Sequence, residues 1–276
     1  MESDGVPYRR PKVCVEWPEA IWRSGGRQAD LDVERRCEAS HPAGSPKRST
    51  LADMPRTRAD GSVPTRTEKG KARAVWNRLL KRYPEIGTAL DYESPWQLLV
   101  VTVLSAQTTD ENVNKVAPAL FTAYPSPEAL AGAPLSHVEE LVFSTGFYRQ
   151  KASAIVSLAQ DLTEKFDGEV PDDLDQLITL KGVGRKTASV VLAEAFGKPA
   201  IAVDTHVKRT TNRLGLVSNT DPVKIETDLK ALYPPELWAG ISMRFIQFGR
   251  DTCDARKPLC SECEMIKLCE YEDKNL

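Results

Sequence analysis

The sequence predicts an all-α protein. Apolar residues recur at helical spacing through most of the chain after residue 70, and neither a convincing alternating strand nor a fixed-period repeat interrupts them. The breaks between apolar runs are clusters of a few Gly, Pro, Ser or Asp residues, the short connections of packed helices. At 276 residues the chain can hold one or two domains and bury a sizeable core.

Residues 1–69 read as a disordered or weakly ordered extension, because Pro7, Pro11, Pro18, Pro42, Pro46, Pro55 and Pro64, the Gly25–Gly26 pair and mixed charges leave no sustained apolar period. Trp17, Ile21 and Trp22 could form one short helical turn, and Met54 is an alternative translation start. Residues 41–73 carry eight Lys or Arg against three acids, and the stretch from Lys47 to Arg73 could add non-specific phosphate affinity. Acids and bases balance in residues 1–40, which argues against an organellar transit peptide.

From Lys71 the helices follow in order. Val75, Leu79 and Leu80 precede Pro84; after Ser94 and Pro95 come Leu98, Leu99, Val101, Val103 and Leu104, apolar enough for a more fully buried helix. Val116, Leu120 and Phe121 follow, then Leu130, Leu135, Val138, Leu141 and Val142. After Gly146 the run Ala152, Ile155, Val156, Leu158, Ala159 and Leu162 ends before Gly168 and Pro171. Leu174, Leu177 and Ile178 mark a short helix led by Pro171, Asp172 and Asp173. Leu180, Lys181, Gly182, Val183 and Gly184 then form a turn, and Arg185 opens a helix to Phe196 that Gly197, Lys198 and Pro199 stop.

That turn invites a phosphate. Two glycines one residue apart permit backbone angles that leave N–H groups open at a helix start, and such a hairpin holds a duplex strand by its backbone without reading sequence. G-V-G alone is also an ordinary helix connection; Lys181, Arg185 and Lys186 beside it, with Lys208, Arg209 and Arg213 downstream, favour the phosphate. The formal charge of −2 and pI near 6.0 do not advertise a nucleic-acid binder, so any such face must be a local patch.

The chain closes on Cys253, Cys260, Cys263 and Cys269, spaced C-x6-C-x2-C-x5-C, whereas Cys14 and Cys37 lie far away. Four soft thiolates on one short irregular segment can enclose a single metal centre, and Asp251, Thr252, Asp254, Pro258, Ser261 and Glu262 free the backbone to wrap. Structural zinc sites usually pair their ligands as two close doublets, so the continuous wrap leans toward a cubane iron–sulfur cluster over zinc. With no secretory signal and no apolar run long enough for a membrane span, a reducing cytoplasm is expected and disulfides are not.

The run L-K-G-V-G-R-K-T-A-S-V-V-L at 180–192, I-A-V-D-T-H-V-K-R at 201–209, L-S-A-Q-T-T-D at 104–110 and the terminal cysteines together resemble the endonuclease III family of DNA glycosylases, over nearly all of residues 70–273. The resemblance implies a helix-hairpin-helix glycosylase fold with the active-site cleft between two parts. One is a six-helix bundle over 88–198, with the hairpin motif at about 172–196. The other is a [4Fe-4S] cluster-bearing helical domain made of 70–87 plus 199–276, with the iron–sulfur loop at 253–269. Cys253, Cys260, Cys263 and Cys269 then hold the cluster, and the loop from Arg250 to Lys257 meets phosphate.

Breaking a base–sugar bond and then the backbone calls for an amine nucleophile that can become an imine, which among side chains means Lys. Lys186 follows the hairpin, and Asp204 in A-V-D-T-H matches the family's aspartate. Alone they would read as a solvated lysine and a helix N-cap; their joint place in two family motifs makes them the catalytic pair. An ammonium of reference pKa about 10.4 must be desolvated or crowded by positive charge to act, and Arg185 and the helix start could do so. Gln107 resembles the residue that fills the gap left by the flipped nucleotide, and Phe147 stands where relatives often carry an apolar wedge. Lys181, Gly182, Val183, Gly184, Arg185 and His206 are expected on the DNA.

The function this implies is base-excision repair: removal of oxidised pyrimidines from duplex DNA and cleavage of the abasic site by β-elimination through a lysine Schiff base. A monomer is expected, in the cytoplasm with the bacterial nucleoid, or nuclear or mitochondrial if the source is eukaryotic. An adenine-type glycosylase of the same superfamily fits less well, since those enzymes lack the lysine and carry a further C-terminal domain, whereas this chain ends seven residues after Cys269. A non-catalytic DNA-binding protein held together by its metal is the rival of another class.

Overall fold

The computed structural model describes residues 56–276; the expectations for the Trp17 turn, Cys14, Cys37 and Met54 lie outside them. The described residues form one compact unit of eleven α-helices with no strand. In order these are α1 (Arg66–Arg82), α2 (Pro95–Leu104), α3 (Asp110–Ala123), α4 (Pro127–Ala131), α5 (Leu135–Val142), α6 (Tyr148–Phe166), α7 (Leu174–Leu177), α8 (Arg185–Phe196), α9 (Thr205–Arg213), α10 (Pro222–Leu232) and α11 (Trp238–Asp251).

Order begins earlier than the apolar pattern implied. Thr65 and Glu68 make a capping box, Thr65 Oγ1 accepting from the Glu68 N–H at 3.2 Å and Glu68 Oε2 from the Thr65 N–H at 2.7 Å. The first turn of α1 is mostly exposed and so carries no apolar period; the cap starts it. The residues before it are tied down too, since the Ala59 N–H donates to Asp228 Oδ1 at 2.9 Å and Arg58 pairs with Glu68 at 2.7 Å. An extension running to residue 69 is therefore corrected: residues 56–69 are structured.

Val75, Trp76 and Leu79 bury one face of α1, which packs on α10 and α11. Buried Arg244 of α11 lies over the Trp76 ring at 4.9 Å and donates to the Tyr83 and Pro84 carbonyls, which α1 leaves open at its end. The central core surrounds α2, whose residues from Leu98 to Leu104 are all buried, the mark of a helix with neighbours on every side. It packs on α3, α6 and α8, while α4 and α5 close over α6 through Leu130, Val138, Ile155 and Leu158. Gly197, at φ 61°, ends α8 in the left-handed conformation, as its place in the sequence predicted.

The chain then runs extended through buried Ala200, Ile201 and Ala202 to α9. This crossover is held by the Ala202 N–H donating to Ser242 Oγ on α11 at 2.8 Å. A Cβ added at Gly249 of α11 would stand 3.0 Å from His206 Cβ and 3.2 Å from Arg209 Nη2, so glycine there lets α11 lie close on α9. Helix α11 also touches α8 and α1. Beyond it, residues 252–276 fold back with no element longer than a 3-10 turn.

Candidate active site

The hairpin from Leu180 to Gly184 is fixed from behind. Gly182, at φ 78°, presents hydrogen where a Cβ would sit 3.2 Å from Ala154 Cβ on α6, so both backbone angle and space call for glycine. Asp161 of α6 accepts the Lys181 N–H at 2.8 Å, and the Val183 N–H closes the turn on the Leu180 carbonyl at 3.1 Å. Val183 is buried, so its side chain serves the core. No side chain caps α8, whose first backbone bond is Ala188 N–H to Gly184 O, leaving the preceding N–H groups open toward solvent.

Lys186 lies on this open first turn, exposed, with no hydrogen bond or ion pair among the described residues. Arg185 is not free to crowd it. Its guanidinium is held bidentately by Glu226 of α10, Nε to Oε2 at 2.6 Å and Nη2 to Oε1 at 3.0 Å, and Glu226 also takes Lys230 at 2.5 Å. Burial by itself would raise the Glu226 carboxyl, but the bonds and charges of Arg185 and Lys230 carry it below the ordinary range. This carboxylate is only 4% exposed, and a lone Glu in a helix gives no sign in the sequence that it grips the hairpin.

Asp204 caps α9. Its Oδ1 accepts the His206 and Val207 N–H groups at 2.8 and 2.9 Å, and Oδ2 stands 3.1 Å from His206 Nδ1. The carboxylate is thus fixed at the end of the crossover from α8, its side chain 15% exposed. Lys186 and Asp204 form no ion pair.

Gln107 and Phe147, singled out as DNA-entering residues, share an unusual backbone. They lie at φ 54° and 49°, two of three non-glycine residues with positive φ among the described residues, the third being Asp167 at the end of α6. Both are exposed, Phe147 at 60%. Left-handed backbone costs about 1–3 kcal/mol in a bulky residue and persists only where surroundings impose it. His206, by contrast, is turned toward Asp204.

The four cysteines line one cavity with Leu214, Phe248, Met265 and Ile266. No three His, Cys, Asp or Glu among the described residues converge on a single-ion site; the thiols stand around the cavity instead. Arg213 reaches Cys253 Sγ at 3.4 Å and the Asp254 carbonyl at 2.7 Å, while the Met265 N–H faces Cys263 Sγ at 3.4 Å. Burial pushes the Cys253 thiol up against the pull of Arg213, and pushes Cys263 up to about 11. In the adjoining loop, Asp254 Oδ1 accepts the Arg256 and Lys257 N–H groups, leaving both basic side chains exposed, whereas Arg250 pairs with Asp110 at 3.5 Å.

Comparison with known proteins places this geometry. The model of the HhH-GPD superfamily base excision DNA repair protein matches residues 100–235. Endonuclease III of Synechocystis sp. is 52% identical over 204 residues, 74% of this chain and 93% of that protein. Endonuclease III of Escherichia coli K12 is 39% identical over 206 residues, 75% of this chain and 98% of that protein. A solved trapped endonuclease III–DNA covalent intermediate, an estranged-adenine complex, superposes with a TM-score of 0.71 at 42% identity, over 73% of this chain and 95% of that one.

Proposed function

This chain belongs to the endonuclease III family, and from that premise we propose that Lys186 is its nucleophile and Asp204 the carboxylate working beside it. The protein is a bifunctional base-excision glycosylase and abasic-site lyase, and duplex DNA is its partner. One observation carries the residue assignment: the only lysine on the first turn of α8 is exposed, without a partner among the described residues, and sits on a helix start that no side chain caps.

In this reading the hairpin backbone holds a phosphate of the damaged strand and sets Lys186 against the sugar. Asp204 takes a proton from the ammonium and balances the positive charge that grows on the sugar as the base departs. Lys186 Nζ bonds to C1′; the C1′–N bond breaks, its electron pair leaving with the base, which gains a proton. Ring opening at O4′ yields a protonated imine, loss of a C2′ proton expels O3′, and hydrolysis of the imine returns the lysine. With Arg185 neutralised by Glu226 and Lys186 exposed, the desolvation that frees the amine comes from the bound duplex.

The substrate class is oxidised pyrimidines, whose weaker stacking lowers the cost of extrusion. Residues 88–198 act as the bundle that presents the hairpin, and 70–87 with 199–276 as the part that carries Asp204 and the cysteines. Four soft thiols lining one largely apolar cavity suit a [4Fe-4S] cluster, which when bound would supply a structural cross-link rather than a step of the reaction. Among the described residues no helix is long and apolar enough to cross a membrane.

Borohydride reduction during reaction tests the assignment. Wild-type protein should yield a covalent adduct on an oxidised-pyrimidine duplex, and Lys186→Ala should yield none while still binding the duplex. An adduct of undiminished yield from the variant would remove Lys186 from the chemistry.

A further inference from the structure

We propose that Asn112 is a positioning residue that locks the Gln107 loop and the Phe147 loop into one preorganised unit for opening the duplex. The inference rests on the reading that Gln107 and Phe147 enter the DNA. Their loops are distant in sequence, residues 105–109 following α2 and residues 143–147 joining α5 to α6. Asn112, half-buried on the first turn of α3, bridges them. Its Nδ2 donates to Thr108 Oγ1 at 3.1 Å on one side and to the Ser144 carbonyl at 2.7 Å on the other, and its Oδ1 accepts from Ser144 Oγ at 3.3 Å. A carbonyl can only accept, so the Ser144 carbonyl fixes which way the amide points.

The neighbouring carbonyl is held from the opposite side. Buried Lys151 of α6 donates to Thr145 O at 2.7 Å, and Thr145 Oγ1 donates to Val142 O at 2.7 Å. Residues 144 and 145 are therefore clamped between α3 and α6 immediately before Gly146 and Phe147, both at positive φ. The Lys151 clamp reaches only the Phe147 loop; Asn112 is the side chain bonded to both loops. Two side chains that must enter the stack together gain from being ordered beforehand, because ordering deferred to the encounter subtracts from the energy available to unstack bases.

Asn112→Ala removes the bridge, and Asn112→Asp keeps the shape and the acceptor while removing the donor to Ser144, which guards against a variant that merely misfolds. Single-turnover excision from a thymine glycol duplex should fall by about threefold to tenfold in both, the loss expected from one or two hydrogen bonds. Borohydride trapping on a single-stranded oligonucleotide with a preformed abasic site, where no base pair is opened, should keep the wild-type rate. The fluorescence rise of 2-aminopurine placed opposite the lesion should slow with excision. Wild-type excision by both variants would overturn the proposal, as would an equal loss on duplex and single strand. Failure of the underlying reading looks different: Gln107→Ala and Phe147→Ala, which leave the Asn112 bonds intact, would then excise from the duplex as the wild type does.

Discussion

In the proposed mechanism Asp204 does two jobs with one carboxylate, capping α9 and serving the reaction, and substitution can separate them. Asn at this position keeps an oxygen for the His206 and Val207 N–H groups but loses the charge, whereas Ala loses both. Asp204→Asn should therefore unfold in urea like the wild type while excision falls roughly 10²-fold, and Asp204→Ala should lose a similar rate plus about 1 kcal/mol of stability. Equal stability losses in the two variants would mean that capping is not what the oxygen supplies. Glu226 makes the complementary case, a buried carboxylate serving position alone. Its folded pKa lies below the ordinary carboxylate value of 4.5. Its contribution is then present above the unfolded pKa and fades as pH falls through the depressed folded one. Glu226→Ala strands Arg185 and Lys230 and should cost about 2 kcal/mol at pH 7, with the difference from wild type shrinking on acidification below pH 4. Urea melts across that range check it; a gap that widens toward acid would contradict the sign.

Between helices the decisive contact is α9 against α11 at Gly249, since α9 begins at the Asp204 cap. Gly249→Ala places a methyl 3.0 Å from His206 Cβ, at a buried position of α11 beside buried Phe248, where neither helix yields easily. We expect a loss of about 1–3 kcal/mol in urea melts and lower excision with duplex affinity largely kept, because the hairpin lies elsewhere. Unchanged stability would show that α9 can shift without cost. The sequence disclosed this level unevenly. Helix α8 was legible to its last residue, because an apolar period and Gly197 agree on where it stops. The start of α1 lies outside its apolar spacing because a capping box sets it, and α9 buries only Val207, Thr210 and Thr211, too sparse a face to announce itself. The hairpin and the cysteines were legible because their residues are near neighbours in the chain. Glu226, Asn112, Lys151 and Arg244 were not, since each works by meeting a group from another element, and such meetings leave no spacing to read.

For the whole molecule, a net charge of −2 means that the overall field does not draw the protein to DNA, so affinity depends on small surfaces being held in shape. The hairpin is braced by α6 and α10. The basic loop around Arg256 and Lys257 has far weaker support. Residues 252–276 hold no helix beyond a 3-10 turn, and Cys260, Met265 and Thr252 are among their few buried side chains. What anchors them is polar: Arg213 to the Asp254 and Ala255 carbonyls, Glu270 N–H to Arg213 O, and the Lys71–Glu270 and Arg82–Glu264 ion pairs. Exposed pairs contribute at most about 1 kcal/mol each, so the metal centre proposed for the four cysteines would supply most of the order in this segment. Removing it by Cys263→Ala or by chelation should therefore loosen residues 252–276 alone, bringing hydrogen exchange and proteolytic cuts there while the helices from α2 to α8 stay protected. Duplex affinity should fall, but trapping on a single-stranded abasic oligonucleotide should persist, because Lys186 and its hairpin rest on the bundle. Exchange that rises equally across residues 95–196 would show that the cysteine segment is a keystone of the entire fold and not a local brace for the DNA-facing loop.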